Sequence, residues 1–173
     1  MLKSIILATA LAMIGASLAS AHVTLETREA PISAGYKAAF RVPHGCKGAP
    51  TVKLRVPIPD GVIAVKPMPK PGWSLETVKG AYGKAYFYYH EVTLSEGVKE
   101  GAWSGGKLPD EYYDEFVLQA YLTADHKLET TLHFPVVQEC EQGVERWIEI
   151  PEAGKTATDY EKPAPGVKLL APK

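Results

Sequence analysis

Apolar and polar residues alternate with a period of two along most of the chain. The clearest run is residues 51–58, in which Val52, Leu54, Val56 and Ile58 alternate with Lys, Arg and Pro. Six other segments show the same alternation or are rich in β-branched and aromatic residues: 22–26, 36–42, 86–94, 115–122, 130–137 and 146–150. A period of two sends successive side chains to opposite faces, so the pattern predicts half-buried β-strands.

Clusters of turn-forming residues separate these segments. They include residues 43–45, 59–61, 70–72 and 104–106, all of which contain glycine next to proline, aspartate, histidine or serine. No window of a dozen residues carries a helical stripe of apolar positions. Seven or more short strands without helices are typical of two packed sheets. We therefore expect an all-β fold, an antiparallel β-sandwich of the immunoglobulin-like or cupredoxin-like kind.

The first 21 residues depart from this pattern. Lys3 precedes an uncharged apolar run over residues 4–18, and Ala19-Ser20-Ala21 is a small-residue cleavage pattern. This order is typical of a secretory signal peptide, and the apolar run is short for a membrane span. We expect residues 1–21 to be removed, which leaves a secreted or periplasmic protein that begins at His22.

The rest of the chain has the length of one ordinary domain. We expect the β-sandwich to occupy residues 22–152. Residues 153–173 alternate poorly and contain three prolines, so we expect a Pro-rich extended or disordered tail. Val167, Leu169 and Leu170 leave open the alternative that the tail lays one edge on the domain.

Charge and cysteine content narrow the classes of function. The chain has 19 basic and 20 acidic side chains and no basic run, which argues against a nucleic-acid partner. In an exported protein, Cys46 and Cys140 are expected to form a disulfide. A thiolate metal site is the weaker alternative, because the pair lacks a CxxC spacing.

We expect the protein to be a monomer or a weak dimer.

Cleavage after Ala21 would give His22 a free α-amine. The amine nitrogen and the ring Nδ1 can then chelate one metal ion, and Cu(II) stands highest in the affinity order for such nitrogen pairs. The α-amine has an ordinary pKa of about 8, so a divalent metal can displace its proton at neutral pH. The alternative is that His22 follows the cleavage site by chance.

A further metal ligand must come from elsewhere in the chain. The acidic stretch 109–116 is the best source, because its carboxylates lie near the start of a predicted strand. Glu115 alternates with the apolar Phe116 and is expected on the outer face of that strand, with Asp114 and Glu111 as the other candidates. Carboxylate and nitrogen ligands together suit tetragonal Cu(II).

Other residues suited to metal binding or catalysis are sparse. The remaining histidines have no local metal-binding spacing; they are His44, His90, His126 and His133. Met68 is the only methionine after residue 21, so few soft ligands remain for Cu(I) once the cysteines are bridged. Trp103 and Trp147 could wall a metal site. No nucleophile elbow, phosphate-binding loop or dinucleotide fingerprint occurs.

Six short segments, taken together and in order, are specific enough for a family comparison. They are the leader ending in Ala-His-Val, residues 67–73, 103–109, 113–116 and 134–140, and Arg146-Trp147. Over residues 22–151 the chain resembles the YcnI-like family of exported copper-binding domains. The resemblance implies an immunoglobulin-like β-sandwich that holds one Cu(II) in a histidine brace, made by one N-terminal histidine, a glutamate and a nearby tryptophan. His22 matches the histidine, Glu115 is our match for the glutamate, and Trp147 for the tryptophan.

The favoured function is an exported, non-enzymatic protein that binds one Cu(II) per chain and sequesters, delivers or senses copper. Exported or membrane copper-handling proteins are its candidate partners. One alternative is a copper-dependent oxidative enzyme of the lytic-monooxygenase type, which needs a second histidine; His90 or His133 would have to supply it. The other alternative is an exported protein-interaction domain without a metal.

Overall fold

Twelve β-strands form the described part of the protein. The computed structural model describes residues 22–173, so the predicted signal peptide, residues 1–21, lies outside the described residues. The strands are β1 (Thr24–Leu25), β2 (Glu29–Pro31), β3 (Ala34–Val42), β4 (Thr51–Pro57), β5 (Val62–Pro67), β6 (Ser74–Phe87), β7 (Thr93–Leu108), β8 (Asp114–Leu122), β9 (Thr131–His133), β10 (Val136–Cys140), β11 (Val144–Trp147) and β12 (Gly166–Leu170). Two 3-10 turns, Tyr89–Glu91 and Ala157–Asp159, complete the described part, where no helix has the length and hydrophobicity of a membrane span. The all-β prediction is confirmed.

The strands are arranged in three sheets. The first sheet has the order β1-β3-β8-β5, and the second has the order β11-β10-β4-β7-β6. A small third sheet has the order β2-β12-β9. Pairing in the two larger sheets is antiparallel, as predicted, and β2 pairs with β12 in parallel.

One hydrophobic core joins the two larger sheets. Phe40 of β3 and Phe116 of β8 are fully buried and share this core with Leu54 of β4 and Trp103 of β7. The rings of Trp103 and Phe116, which come from opposite sheets, have centroids 5.7 Å apart. The alternating apolar positions of β3 and β8 therefore point inward, because burying one face of each sheet removes apolar surface from water.

Residues 166–170 belong to the fold, so the prediction of an extended or disordered tail does not hold for them, and the alternative, in which the tail lays one edge on the domain, does. Strand β12 pairs with β2 and β9, and Val167 and Leu169 are almost completely buried. The domain therefore continues past residue 152. Its last strand was predicted only as the alternative, because the alternating run is five residues long and follows a proline-rich stretch whose composition is typical of disorder.

Two sheet edges meet near the N-terminal end of β1. Strand β1 is an edge strand of the first sheet, and β11 is an edge strand of the second. The C-terminal segment passes beside this corner, where Glu149 and Pro163 form a β-bridge. The corner therefore gathers residues from the beginning, the middle and the end of the described chain.

Replacing Leu169 with Ala tests whether β12 contributes to stability. Leu169 is 1 % exposed, so we expect the free energy of unfolding, measured by urea denaturation, to fall by about 2–5 kcal/mol. Lys168→Ala on the exposed face of the same strand is the control and should change it by less than about 1 kcal/mol. Equally small effects of both substitutions would contradict the packing of β12.

Candidate metal centre

Three nitrogen-bearing side chains lie close to the indole of Trp147. Trp147 ends β11 and is 2 % exposed. The ring centroids of His22 and His44 lie 5.5 Å and 6.2 Å from the indole centroid. Lys162 Nζ lies 4.7 Å from the same centroid. Four residues that are distant in sequence converge here, and we call them the Trp147 cluster.

His22 is held by the strand that follows it. Val23 and Leu25 are buried in the core, and Thr24 pairs with Arg41 of β3. Because side chains alternate along an extended chain, His22 lies on the side opposite Val23, where it is half-buried. The histidine is therefore mounted at a sheet edge rather than on a loose terminus.

His44 lies in the loop between β3 and β4. Reciprocal backbone hydrogen bonds between Cys46 and Ala49, of 2.9 Å and 3.0 Å, close this loop. The Gly45 N–H donates to Asp110 Oδ1 at 2.9 Å. A Cβ atom at Gly45 would lie 1.9 Å from the Ala49 carbonyl oxygen, so the close approach requires glycine. These contacts fix the conformation of the loop around His44.

A disulfide joins the same loop covalently to β10. Cys46 and Cys140 form the bridge with an S–S distance of 2.03 Å, so the predicted pairing is confirmed and the alternative thiolate metal site is not formed. The two cysteines are 94 residues apart, and chain-entropy models assign such a closed loop about 4–5 kcal/mol of stabilisation. Because Cys46 is near His44 in sequence, the bridge also limits how far His44 can move from β10.

A buried amide connects Trp147 to the His44 loop. Gln138 of β10 is fully buried. Its Oε1 accepts a hydrogen bond from Trp147 Nε1 at 2.9 Å, and its Nε2 donates to the His44 carbonyl and to Thr51 Oγ1, each at 2.7 Å. Both N–H groups and the oxygen of the amide are thus paired, as burial requires. The indole and the loop are held in a fixed relation to each other.

The His44 ring is oriented by its own loop. Its Nδ1 is hydrogen-bonded to the carbonyl of Gly45. A carbonyl oxygen can only accept, so Nδ1 carries the proton and Nε2 carries the lone pair of the neutral ring. Metal-binding histidines commonly have this arrangement, in which a hydrogen bond at one ring nitrogen orients the other.

Burial and nearby positive charges favour the neutral form of His22. Burial lowers the pKa of the His22 imidazole below its ordinary value, and the nearby Lys162 and His44 lower it further. Lys162 is itself in a salt bridge, with its Nζ 2.6 Å from Glu145 Oε2. Neutral imidazole is the form that binds metals, so the cluster favours a metal-competent His22 at neutral pH.

The family of the chain follows from a match over nearly all of the described residues. A family model described as "Domain of unknown function (DUF1775)" matches residues 22–169. The chain belongs to the DUF1775 family. The match begins at His22 and runs into β12, so the DUF1775 domain includes the whole Trp147 cluster.

A solved structure confirms the immunoglobulin-like prediction for this DUF1775 domain. The crystal structure of an uncharacterized protein from Nocardia farcinica, described as having an immunoglobulin-like fold, is 22 % identical in sequence. The similarity covers 86 % of this chain and 98 % of that chain, with a TM-score of 0.63. No curated protein matches the chain.

Glu115 lies apart from His22 in the described part of the DUF1775 domain. Arg41 of β3 pairs with Thr24 on one side and with Glu115 on the other. The Glu115 backbone is therefore two strand spacings, roughly 10 Å, from β1. Its Oε1 lies 3.4 Å from Arg41 Nε. Arg41 thus stands between the predicted carboxylate ligand and the strand that carries His22.

The other residues predicted around a metal also have different surroundings. Asp114 Oδ1 accepts hydrogen bonds from Lys70 Nζ at 2.6 Å and from the Glu115 N–H at 2.8 Å, and Glu111 is exposed. Trp103 is fully buried, and its Nε1 donates to the Met68 carbonyl at 2.9 Å. Its ring fills the core between the two sheets.

His44 is the histidine that shares Trp147 with His22. His133 and His22 both border a groove of about 830 Å³, whereas His90 lies in the 3-10 turn between β6 and β7, beside Tyr89. Within residues 22–173 no group of three or more His, Cys, Asp or Glu side chains is arranged to hold a metal. A metal site at the cluster must therefore use a donor of another kind, such as the α-amine of a mature N-terminus.

Sequence reasoning missed His44, Gln138 and Lys162 as members of this region. His44 becomes a neighbour of His22 only through the pairing of β1 with β3, which no local pattern specifies. Gln138 did have a signal, because it continues the inward positions that Phe134 and Val136 begin. A polar residue at an inward position is unusual and indicates a buried hydrogen-bond network.

Replacing Lys162 with Met tests the electrostatics of the cluster. Removing this positive charge makes protonation of His22 easier, so the pKa of the His22 imidazole should rise. An NMR titration of the His22 ring in the metal-free protein measures the change. Lys168→Met on the exposed face of β12 is the control and should leave the pKa where it is. A His22 pKa that Lys162→Met does not raise would contradict the charge effect.

Replacing Gln138 with Leu tests the buried network. The substitution leaves the Trp147 Nε1–H and the His44 carbonyl without the partner they have now, so the free energy of unfolding should fall by at least about 1–3 kcal/mol. Urea denaturation provides the measurement, and Gln119→Leu on the exposed face of β8 provides the control. A Gln138→Leu protein as stable as its parent would show that the network does not hold the region together.

Proposed function

We propose that this DUF1775 domain is an exported Cu(II)-binding protein that sequesters, delivers or senses copper. One Cu(II) is held per chain through the α-amine and the imidazole of His22 after removal of residues 1–21. The observation that carries the proposal is the mounting of His22, which precedes an edge strand and packs against the buried Trp147. A histidine held in this way loses little freedom on chelation.

The donors near Trp147 fit Cu(II) better than Cu(I). An amine and an imidazole are borderline nitrogen donors, for which Cu(II) has high affinity. Soft donors are few in the described part of the chain. Its one methionine, Met68, is 51 % exposed, and its two cysteines, Cys46 and Cys140, are joined in a disulfide. A bound Cu(II) would supply a Lewis-acidic, redox-active centre, while His22 would hold it and Trp147 would shield one side from water.

The resemblance to the YcnI-like copper-binding domains supports the same function. The resemblance assigns a histidine, a tryptophan and a glutamate to the site, and His22 and Trp147 are in contact. Glu115 is paired with Arg41, so we do not give its carboxylate a ligand position. We expect Glu115→Gln to leave the Cu(II) affinity within about threefold of the parent value, since the charge of a carboxylate paired with Arg41 has little effect at a distance.

Export is part of this proposal. The positive residue, apolar run and cleavage pattern of residues 1–21 support a signal peptide whose removal creates the α-amine. The confirmed disulfide is in keeping with an oxidising compartment. Copper ions, and exported or membrane copper-handling proteins, are the partners that such a location offers.

Calorimetric titration of the mature protein, with His22 as its first residue, tests the proposal. We expect one Cu(II) per chain. One extra glycine before His22 removes the α-amine from the chelate and should lower the affinity at least about tenfold. His126→Gln, which changes a histidine outside the Trp147 cluster, is the control and should bind like the parent. Equal affinity of the extended and mature proteins would rule out chelation by the terminus.

Two further outcomes of the same study would indicate the alternative functions. Reductant-driven peroxide formation or polysaccharide oxidation by the copper-loaded protein would favour an enzyme of the lytic-monooxygenase type. A flat titration with every variant would favour an exported protein-interaction domain without a metal. We expect neither result.

A further inference from the structure

His22 and His44 share one indole as their packing surface. Their ring centroids lie 5.5 Å and 6.2 Å from that of Trp147. Both histidines are half-buried, while the indole beneath them is almost completely buried. Pairing of β1 with β3 therefore brings two imidazoles to the same corner of the sandwich, next to the position of the mature N-terminus.

The His44 ring presents Nε2 as its lone-pair nitrogen. The Gly45 carbonyl accepts the hydrogen bond from Nδ1, which fixes the tautomer and the orientation of the ring. Nε2 is then the nitrogen able to donate its lone pair to a metal. Metal-binding histidines generally donate a hydrogen bond from their other ring nitrogen to a carbonyl, a carboxylate or water, as His44 Nδ1 does to the Gly45 carbonyl.

The loop that carries His44 is anchored at the histidine itself and two residues further on. Gln138 Nε2 holds the His44 carbonyl at 2.7 Å, and Cys46 is bridged to Cys140. Both anchors belong to β10, which pairs with the strand that ends in Trp147. A ligand on a loop anchored in this way needs little ordering when it binds an ion.

The charge balance around the indole tolerates a cation. Lys162, the cation of the Trp147 cluster, has its Nζ 2.6 Å from Glu145 Oε2, and the Glu145 side chain is only 14 % exposed. The carboxylate offsets much of the repulsion that an uncompensated lysine would exert on a divalent ion.

We propose that His44 is a ligand of the same Cu(II), through Nε2. Three nitrogens then hold the ion: the α-amine of His22, the ring of His22 and the ring of His44. This inference rests on the proposed function and adds a second histidine that a single-histidine brace lacks. Three nitrogens completed by oxygen or water suit tetragonal Cu(II). From the sequence, a second histidine was considered only for the enzyme alternative, as His90 or His133, whereas His44 is proposed here as a ligand of the copper-binding protein.

Electron paramagnetic resonance of the Cu(II)-loaded mature protein counts these nitrogens. We expect superhyperfine splitting from three nitrogens in the parent protein and from two in His44→Gln, with the Cu(II) affinity of the variant lowered at least about tenfold. His133→Gln and Glu115→Gln are matched controls, one histidine on the neighbouring groove and one carboxylate beyond Arg41. Both should keep three nitrogens and an affinity close to that of the parent.

A second variant separates ligation from packing. His44→Phe keeps an aromatic ring against Trp147 but has no donor atom, so it should retain the parent's thermal unfolding midpoint and still lose the third nitrogen. Two nitrogens in the parent, with the same spectrum and affinity in His44→Gln, would overturn the role of His44 and leave the His22 site standing. Failure of the parent to bind Cu(II) would overturn both proposals.

Discussion

One buried amide group holds the candidate site in place. Gln138 has no contact with water, so each of its polar atoms must be paired inside the protein. Its partners are the Trp147 indole, the His44 carbonyl and the Thr51 hydroxyl. Moving any one of them would leave a buried group unpaired, which costs more than a surface hydrogen bond is worth. The Trp147 indole and the His44 loop therefore behave as one unit, attached to β10 of the second sheet.

The strands and the sandwich were predictable because burial acts on every second residue. Where four alternating inward positions are apolar and buried, as in β3 and β8, sequence and structure agree. Strand β12 was predicted only as an alternative to a disordered tail, because Val167 and Leu169 offer only two inward positions after a proline-rich stretch. Composition over twenty residues is a poor guide there, since a short strand can be stabilised by neighbours that are remote in sequence.

Only those parts of the candidate site that follow from local sequence patterns were predictable. His22 followed from the cleavage pattern, and the disulfide followed from the compartment that this pattern implies. The partner of His22 did not, because alternation tells which face a side chain occupies but not which strand lies beside it. Glu115 does lie on an outer position, but its carboxylate forms a salt bridge with Arg41, which lies on the strand between β8 and β1. His44 carries no metal-binding spacing, and only the β1–β3 pairing reveals that it is close to His22.

Because of the Cys46–Cys140 bridge, the candidate site depends on the processing of the chain as well as on its folded geometry. Before these cysteines are oxidised, the His44 loop is joined to β10 by hydrogen bonds alone. Before the bond preceding His22 is cut, its α-amine does not exist. Oxidation and proteolysis are independent reactions, and both would accompany the proposed export. A newly made chain that keeps residues 1–21 in a reducing compartment would have neither the α-amine of His22 nor the disulfide that anchors the His44 loop. Under the proposed function, the domain would therefore hold copper tightly only after both reactions.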